Sequence, residues 1–402
     1  MTKLIISLCV VCVLLVATSA SAQWTAEGQD PQLWPYSDTD TLPGDQNATL
    51  PGLQWNVWGS FMVAADGKVW SWGGWGTTYV RPEGDTYFDN RQSKLSYFTP
   101  GVGWVGAYGG TLSGGGATGP VGFSNGSGSA LPTVGHGTSA SFSPTSVASW
   151  VVTDPDATTE DPLDELGDVK IASCGGYPRW EAPMDIYNVT KDYWYAAGGN
   201  PEASLDIYAN GVQIGDKYYH LDGDGVAYDY TVFDLVTESW SEGNLNSGLV
   251  DSDSWGCTGA GNIAITNDEG SYSWQDFDTD TTTAFTNNPT TSDGSAEGVV
   301  WGDWFIQISH LGNVEVYDLT QGPTGVWIVT GIGPPVAGLS GNGACVIGDT
   351  LYWSLHGTLG TDSEKGMLYS LDLSTATIPE PGVMALFGFG MLSVFALRGR
   401  RR

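Results

Sequence analysis

The sequence predicts an all-β protein: a β-propeller of seven four-stranded blades, flanked by an N-terminal signal peptide and a short C-terminal transmembrane helix. Three observations carry this. One unit recurs, an aromatic or apolar residue followed by a polar turn and then a Trp. Its copies are Tyr97…Trp104, Phe142…Trp150, Tyr187…Trp194, Phe233…Trp240, Phe277…Phe285, Tyr317…Trp327 and Leu371…Ile378, and their ends are 46, 44, 46, 45, 42 and 51 residues apart. A fixed period of this length marks an array of similar supersecondary units. Apolar–polar alternation, as in Val314-Glu315-Val316-Tyr317, marks half-buried strands, and no helical period runs through the body. The 57 glycines fall largely between such runs, where turns need them.

Taking the chain in order, residues 1–22 read as a secretory signal. Lys3 supplies the positive start, Leu4 to Val16 is an apolar stretch too short to span a bilayer, and Ala20-Ser21-Ala22 is a small-residue cleavage site. The mature chain then begins at Gln23. Residues 23–53 form an N-terminal segment. A ring of blades must close, because an open one exposes a strand edge. A strand from 24–58, with Leu53–Trp58 favoured, is therefore expected to complete the last blade.

Residues 54–378 hold the repeats, with blade ends near 104, 150, 194, 240, 285, 327 and 378. In most copies one or two short strands precede the unit, such as Phe61–Ala65 with Val69–Trp72 and Ala344–Ile347 with Leu351–Leu355. Four strands per ~46 residues is the size of a propeller blade. The pattern of an apolar strand, Gly-Gly and then aromatic-Asp-x-x-Thr-x-x-Trp resembles a Kelch repeat in degenerate form. Trp72-Gly73-Gly74 and Cys174-Gly175-Gly176 carry the glycine pair, and Phe233 to Trp240 carries the rest. The stretch Ala65 to Gly73 is similar to the chromosome-condensation-regulator repeat, which also builds propellers.

Residues 379–402 have three parts: Pro379-Glu380-Pro381, the uncharged stretch 382–397, and the cluster Arg398, Arg400, Arg401 and Arg402. A short apolar helix with an Arg stop fits a membrane segment with its basic end in the cytoplasm. Sixteen residues give about 24 Å, thin for a bilayer core of ~30 Å, as suits a processed anchor. This tail resembles the PEP-CTERM sorting signal of Gram-negative bacteria, also known as an ice-binding protein C-terminal type of tail. The resemblance implies an exosortase-type membrane protease as processing partner. It also implies export through the inner membrane, transient anchoring by the C-terminal helix, and a final place outside the cell or on its surface. Association with exopolysaccharide or other matrix proteins is a further implication.

Composition narrows the function classes. With 45 acidic and 14 basic residues the net charge is −31. Without Lys3, the four terminal Arg and Glu380, residues 23–378 keep 44 acids and 9 bases, so the body carries 9 − 44 = −35. Such a surface cannot replace phosphate counterions, so nucleic acid is excluded as a partner. The mature chain retains Cys174, Cys257 and Cys345, with no CxxC or zinc-type spacing.

Four groups of residues are candidates for a site. His136, His220, His310 and His356 recur where second strands end, where imidazoles around one face can bind a metal or polarise a ligand, or simply cap turns. Asp276-x-Asp278-x-Asp280 resembles the start of an EF-hand loop, which makes calcium the favoured cofactor, although Thr281 stands where such a loop requires Gly. Among the Trp residues, Trp55, Trp58, Trp75, Trp301 and Trp304 are candidates for stacking on sugar rings. The sorting-tail residues and the cleavage residues Ala20, Ala22 and Gln23 make up the rest. No GxSxG, HExxH or Walker motif occurs, and no carboxylate pair stands out among so many, so no catalytic residue is assigned. Three readings stay open: a matrix-associated binding or structural propeller, an exported Kelch-type enzyme acting on carbohydrate, and a calcium-dependent adhesion module.

Overall fold

The computed structural model describes residues 23–29, 57–58, 61–72, 75–80, 86–91, 95–106, 147–157, 164–173, 183–191, 193–199, 210–221, 230–243, 256–268, 271–289, 297–308, 314–336, 340–356 and 367–376. The signal segment and the sorting tail lie outside them. Among the described residues no helix is long and apolar enough to cross a membrane.

The chain begins with β1 (Thr25–Gln29) and β2 (Val57–Trp58). Next come β3 (Phe61–Ala65), β4 (Lys68–Trp72), β5 (Trp75–Val80), β6 (Thr86–Arg91), β7 (Leu95–Thr99) and β8 (Gly103–Gly106). β3-β4-β7-β8 form the first blade, and β5 and β6, inserted between its second and third strands, pair with β2 from just before the blade in a separate three-stranded sheet, β2-β5-β6. The second blade is β9 (Val147–Val151), β10 (Val169–Ser173), β11 (Pro183–Asn188) and β12 (Tyr193–Gly199). The third is β13 (Asn210–Ile214), β14 (Lys217–Leu221), β15 (Tyr230–Asp234) and β16 (Ser239–Gly243). The fourth is β17 (Gly256–Ala260), β18 (Ile263–Asp268), β19 (Ser271–Asp276) and β20 (Thr281–Ala284). The fifth is β21 (Glu297–Trp301), β22 (Trp304–Ile308), β23 (Glu315–Asp318) and β24 (Trp327–Val329). The sixth takes β25 (Ser340–Ile347), β26 (Thr350–His356) and β27 (Met367–Asp372) from the end of the chain and β1 from its start.

The described residues therefore form a propeller of six four-stranded blades, and the expected seventh is absent from them. The inner strands β3, β9, β13, β17, β21 and β25 neighbour one another in cyclic order. Six apolar clusters match the six seams. Ala65 and Trp70 meet Ile171 and Tyr187 between blades one and two. Met184 and Ile186 meet Tyr218 and Phe233 at the next seam, and Val212 meets Ala264 at the third. Ile265 and Tyr272 meet Phe305 and Trp327. Val316 meets Leu351 and Trp353, and Cys345 and Tyr352 meet Val69 and Phe98 to close the ring.

The miscount has an identifiable source. Phe142…Trp150 is not a blade end, because Trp150 lies on β9, the inner strand of blade two. Residues 107–146, which lie outside the described residues, hold eleven glycines and are nearly as long as a blade. That spacing counterfeited one period. The closing strand also differs from the favoured one. It is Thr25–Gln29, whereas Val57–Trp58 pairs with β5 in the inserted sheet.

The repeated unit has a local explanation. In five blades an Asx side chain at the end of the third strand takes backbone N–H groups of the following turn. Asn188 Oδ1 accepts from Lys191 at 3.0 Å, and Asp234 Oδ1 accepts from Val236 at 3.0 Å and Thr237 at 2.9 Å. Asp276, Asp318 and Asp372 do the same for Asp278, Thr320 and Ser374. Such Asx turns fix a hairpin without help from elsewhere in the fold. The residue after the Asx then bonds back to the first-to-second strand turn at the same end of the blade: Leu235 N to Asp216 O, Leu319 N to Asp303 O and Leu373 N to Asp349 O. The Trp after the turn packs on the aromatic before it, as Trp240 does on Phe233 with ring centres 5.1 Å apart.

Candidate functional site

The topology gives every blade two ends. The first-to-second and third-to-fourth strand hairpins share one, and the longer connections share the other. β14 and β26 both run toward the connection end. His220 lies on β14 opposite Gly211 and Thr231, and His356 is the last residue of β26, opposite Ser340. These strands belong to blades three and six, which oppose each other in a ring of six. His136 and His310 lie outside the described residues, as does Trp55. Among the described residues no group of three His, Cys, Asp or Glu is placed to hold a metal ion.

The calcium-like run is an Asx turn. Asp276 Oδ1 accepts the N–H groups of Asp278 and Thr279 at 2.9 and 3.1 Å, and the Asp278 carboxylate accepts from Asn262 Nδ2. Asp280 takes the left-handed conformation, φ 57°, at the position that Glu238 occupies in blade three. The three acids thus repeat the hairpin chemistry of the neighbouring blades.

The Trp candidates divide. Trp304 is 6% exposed and packs in the seam between blades five and six. Trp301 lies partly buried against the same cluster and donates its indole N–H to Asp349 Oδ1 at 3.2 Å. These two join blades rather than face solvent as a platform. Trp58 and Trp75 stand directly opposite each other in the inserted sheet, where Trp75 is also opposite Arg91 and Tyr79 opposite Tyr87.

One charged cluster had not been expected from the sequence. Lys170 on β10 is fully buried, and its Nζ lies 2.5 Å from both Asp164 Oδ2 and Glu238 Oε1. The Trp150 ring is 5.9 Å away. Asp164 comes from the loop before β10, and Glu238 from the hairpin of blade three at φ 51°. The cluster therefore ties two blades together at their hairpin ends. Beside it Asp168 takes Lys191 Nζ at 3.0 Å and Asn188 Nδ2 at 3.2 Å. Burial acts to raise the Asp168 carboxyl, but the hydrogen bonds from Lys191 and Asn188 outweigh it and hold the group below its ordinary value. The adjoining cleft, lined by Trp150, Asp154, Asp164, Asp216, Val236 and Glu238, has room for about one water molecule. It is too small for a sugar ring, and Lys170 already engages a carboxylate oxygen of Asp164 and of Glu238. The chemistry of this cluster is that of an interblade lock. The available signal in the sequence was a lysine set inside an apolar strand, Val169-Lys170-Ile171-Ala172.

Fold and sheet order define the body as a six-bladed β-propeller. Residues 377–402 match the family model of the PEP-CTERM protein-sorting motif, the recognition signal for exosortase processing, which indicates export and sorting to the surface. No curated protein matches the chain in sequence. Similar solved structures include a Penicillium chrysogenum alpha-L-arabinanase complexed with arabinobiose, 11% identical with a TM-score of 0.48, over 88% of this chain and 99% of that one. A structural genomics protein from Bacteroides thetaiotaomicron is 10% identical with a TM-score of 0.45, over 88% and 76%. A lectin from Aleuria aurantia is 10% identical with a TM-score of 0.39, over 75% and 88%. Likeness at this level says nothing about ligand.

Proposed function

We propose that the protein is an exported, exosortase-processed propeller that serves outside the cell or at its surface as a binding and structural component of exopolysaccharide or biofilm matrix. The observation that carries this is the sorting motif at 377–402, attached directly to the last strand of a propeller body. A ring of six blades with every seam filled is a rigid support for contacts to a polymer. The inserted sheet is the favoured contact point, because its register sets Trp58 against Trp75 and places Arg91 next in the same row. Aromatic residues beside charged and hydroxyl groups suit sugar rings, which offer apolar faces and hydrogen-bonding edges. With a body charge of −35, the fitting polymer is neutral, or acidic and bridged by divalent cations.

The test is retention of residues 23–378 on the producing organism's own exopolysaccharide, with and without EDTA. Retention in both conditions supports direct binding, and loss in EDTA alone assigns the contact to bridging cations. Failure to bind in either condition removes the glycan reading. Trp58→Ala with Trp75→Ala is expected to weaken retention at least tenfold without lowering the melting temperature, since stacking contributes on the order of 1 kcal/mol per ring.

A further inference from the structure

Lys170, Asp164 and Glu238 place an amine and two carboxyl groups in contact inside an apolar seam. Lys170 stands opposite Trp150 of β9, and Ala172, two residues further along β10, belongs to the cluster of Met184, Tyr218 and Phe233 between blades two and three. Alternate residues share a face of a strand, so the Lys170 amine sits at the hairpin end of that aromatic-lined seam. Both carboxylates are buried with it. Nζ is 2.5 Å from Asp164 Oδ2, so the Asp164 carboxyl carbon is at most about 3.7 Å from the nitrogen. Reacting atoms about 3–3.5 Å apart are in near-attack geometry. Glu238 Oε1 touches the same nitrogen at 2.5 Å.

We propose that this cluster matures into an intramolecular isopeptide bond between Lys170 Nζ and the Asp164 side-chain carboxyl carbon, with Glu238 as the proton carrier. A lysine amine becomes a nucleophile when it is held away from water beside a group that takes its proton. Removing both charges from water also narrows the gap between the ion pair and the neutral amine and acid that react. The balance closes within the three side chains. Glu238 takes one proton from the Lys170 ammonium and passes it to the Asp164 carboxylate. The amine then attacks the Asp164 carboxyl carbon, and Glu238 moves a second proton from the nitrogen to the departing hydroxyl. The N–C bond forms, the C–O bond breaks, one water leaves and Glu238 ends as it began. The cleft lined by Asp164 and Glu238 has room for about that one water. Anchorage assigns the two roles. Asp164 lies in the loop before β10, only six residues from Lys170, and can close on the nitrogen. Glu238 is fixed at φ 51° in a hairpin that Asp234 pins through Val236 and Thr237. In the product the new amide N–H still donates to Glu238, so the contact between blades persists while the segment 164–170 becomes a covalent ring.

The test is peptide mass analysis of the full chain, purified folded, then reduced, denatured and digested with trypsin, which cuts after Lys170 only while its amine is free. The bond predicts a peptide of residues 95–179, uncut after Lys170 and lighter by one water, whose fragment ions show no break between 164 and 170. Glu238→Gln keeps the size of the side chain but carries no proton, and Asp164→Ala removes the acceptor. Each variant should restore cleavage after Lys170 and the full mass while a cooperative melt shows the protein folded. Full-mass peptides 95–170 and 171–179 from the folded parent would overturn the proposal. Bond formation in Glu238→Gln to the same extent as in the parent would overturn the role of Glu238. A product one water lighter that joins 95–179 to 218–365 would place the bond on Glu238 and overturn the assignment to Asp164.

Discussion

Replacing Lys170 by Met is expected to be one of the most costly single changes in the body. Lys170 Nζ is 2.5 Å from one carboxylate oxygen each of Asp164 and Glu238, whose side chains are 2% and 1% exposed. Met keeps much of the side-chain volume but removes the charge, leaving two carboxylates buried together across the seam of blades two and three. Breaking a single buried ion pair costs about 3–5 kcal/mol, because the abandoned charge keeps its desolvation penalty. A body of about 350 residues has a melting entropy near 0.7 kcal/mol/K, so the melting temperature should fall by about 4–7 °C. The assay is calorimetry with Trp fluorescence as second probe. The triple change Lys170→Met, Asp164→Leu, Glu238→Met should regain most of the loss, since apolar replacement of a whole buried cluster is often neutral. A Lys170→Met protein that melts within about 1 °C of the parent at pH 8 would refute the lock.

The other expectations concern ring and hairpins. A Cβ on Gly259 would lie 2.1 Å from Gln213 O and 3.1 Å from Val212 and Ile214, so Gly259→Ala should push inner strands β13 and β17 apart and cost about 1–3 kcal/mol or more in a thermal melt; an unchanged melt would deny that close approach. Burial acts to raise the Asp318 carboxyl, but hydrogen bonds from Gln321 and Thr320 outweigh it and hold it low, while Asp372 is held low chiefly by the Ser374 hydroxyl. A depressed carboxyl stabilises the fold above its unfolded value near pH 4 and loses that contribution as pH falls through the folded value, so acid melts should steepen below about pH 4 and Asp318→Asn should flatten that limb. Deleting residues 23–29 removes β1 and its bonds to blades five, six and one, including Trp104 Nε1 to Gly28 O at 3.2 Å; the body should lose its cooperative transition, and a sharp melt at the parent temperature would exclude β1 as the closing strand.

What could be read from the sequence was what local chemistry decides. Asp234, Asp276, Asp318 and Asp372 fix their hairpins through backbone groups two residues on, so the aromatic-Asp-turn-Trp unit appears as a motif wherever the hairpin does. What could not be read is what distant segments decide. Thr25–Gln29 reads Thr-Ala-Glu-Gly-Gln, with no apolar alternation, and becomes a strand because β27 offers an unpaired edge more than 330 residues away in sequence. The blade number failed for a related reason: spacing measures chain length, and the 46 residues from Trp104 to Trp150 match the period although Trp150 lies on an inner strand.

The same division explains the candidate sites. Trp content suggested ligand platforms, but Trp70, Trp304, Trp327 and Trp353 are each less than a tenth exposed and fill seams. A six-bladed ring has six interfaces to fill with large flat side chains, and those interfaces claim aromatic residues before any surface can. An aromatic candidate for binding must therefore lie where no neighbouring blade packs. Trp58 and Trp75 lie in the inserted β2-β5-β6 sheet, which belongs to no blade, whereas Trp301 and Trp304 sit in a seam. Any binding carried by aromatic residues in this protein should accordingly follow the inserted sheet, and removing that sheet should abolish it while all six seams stay filled.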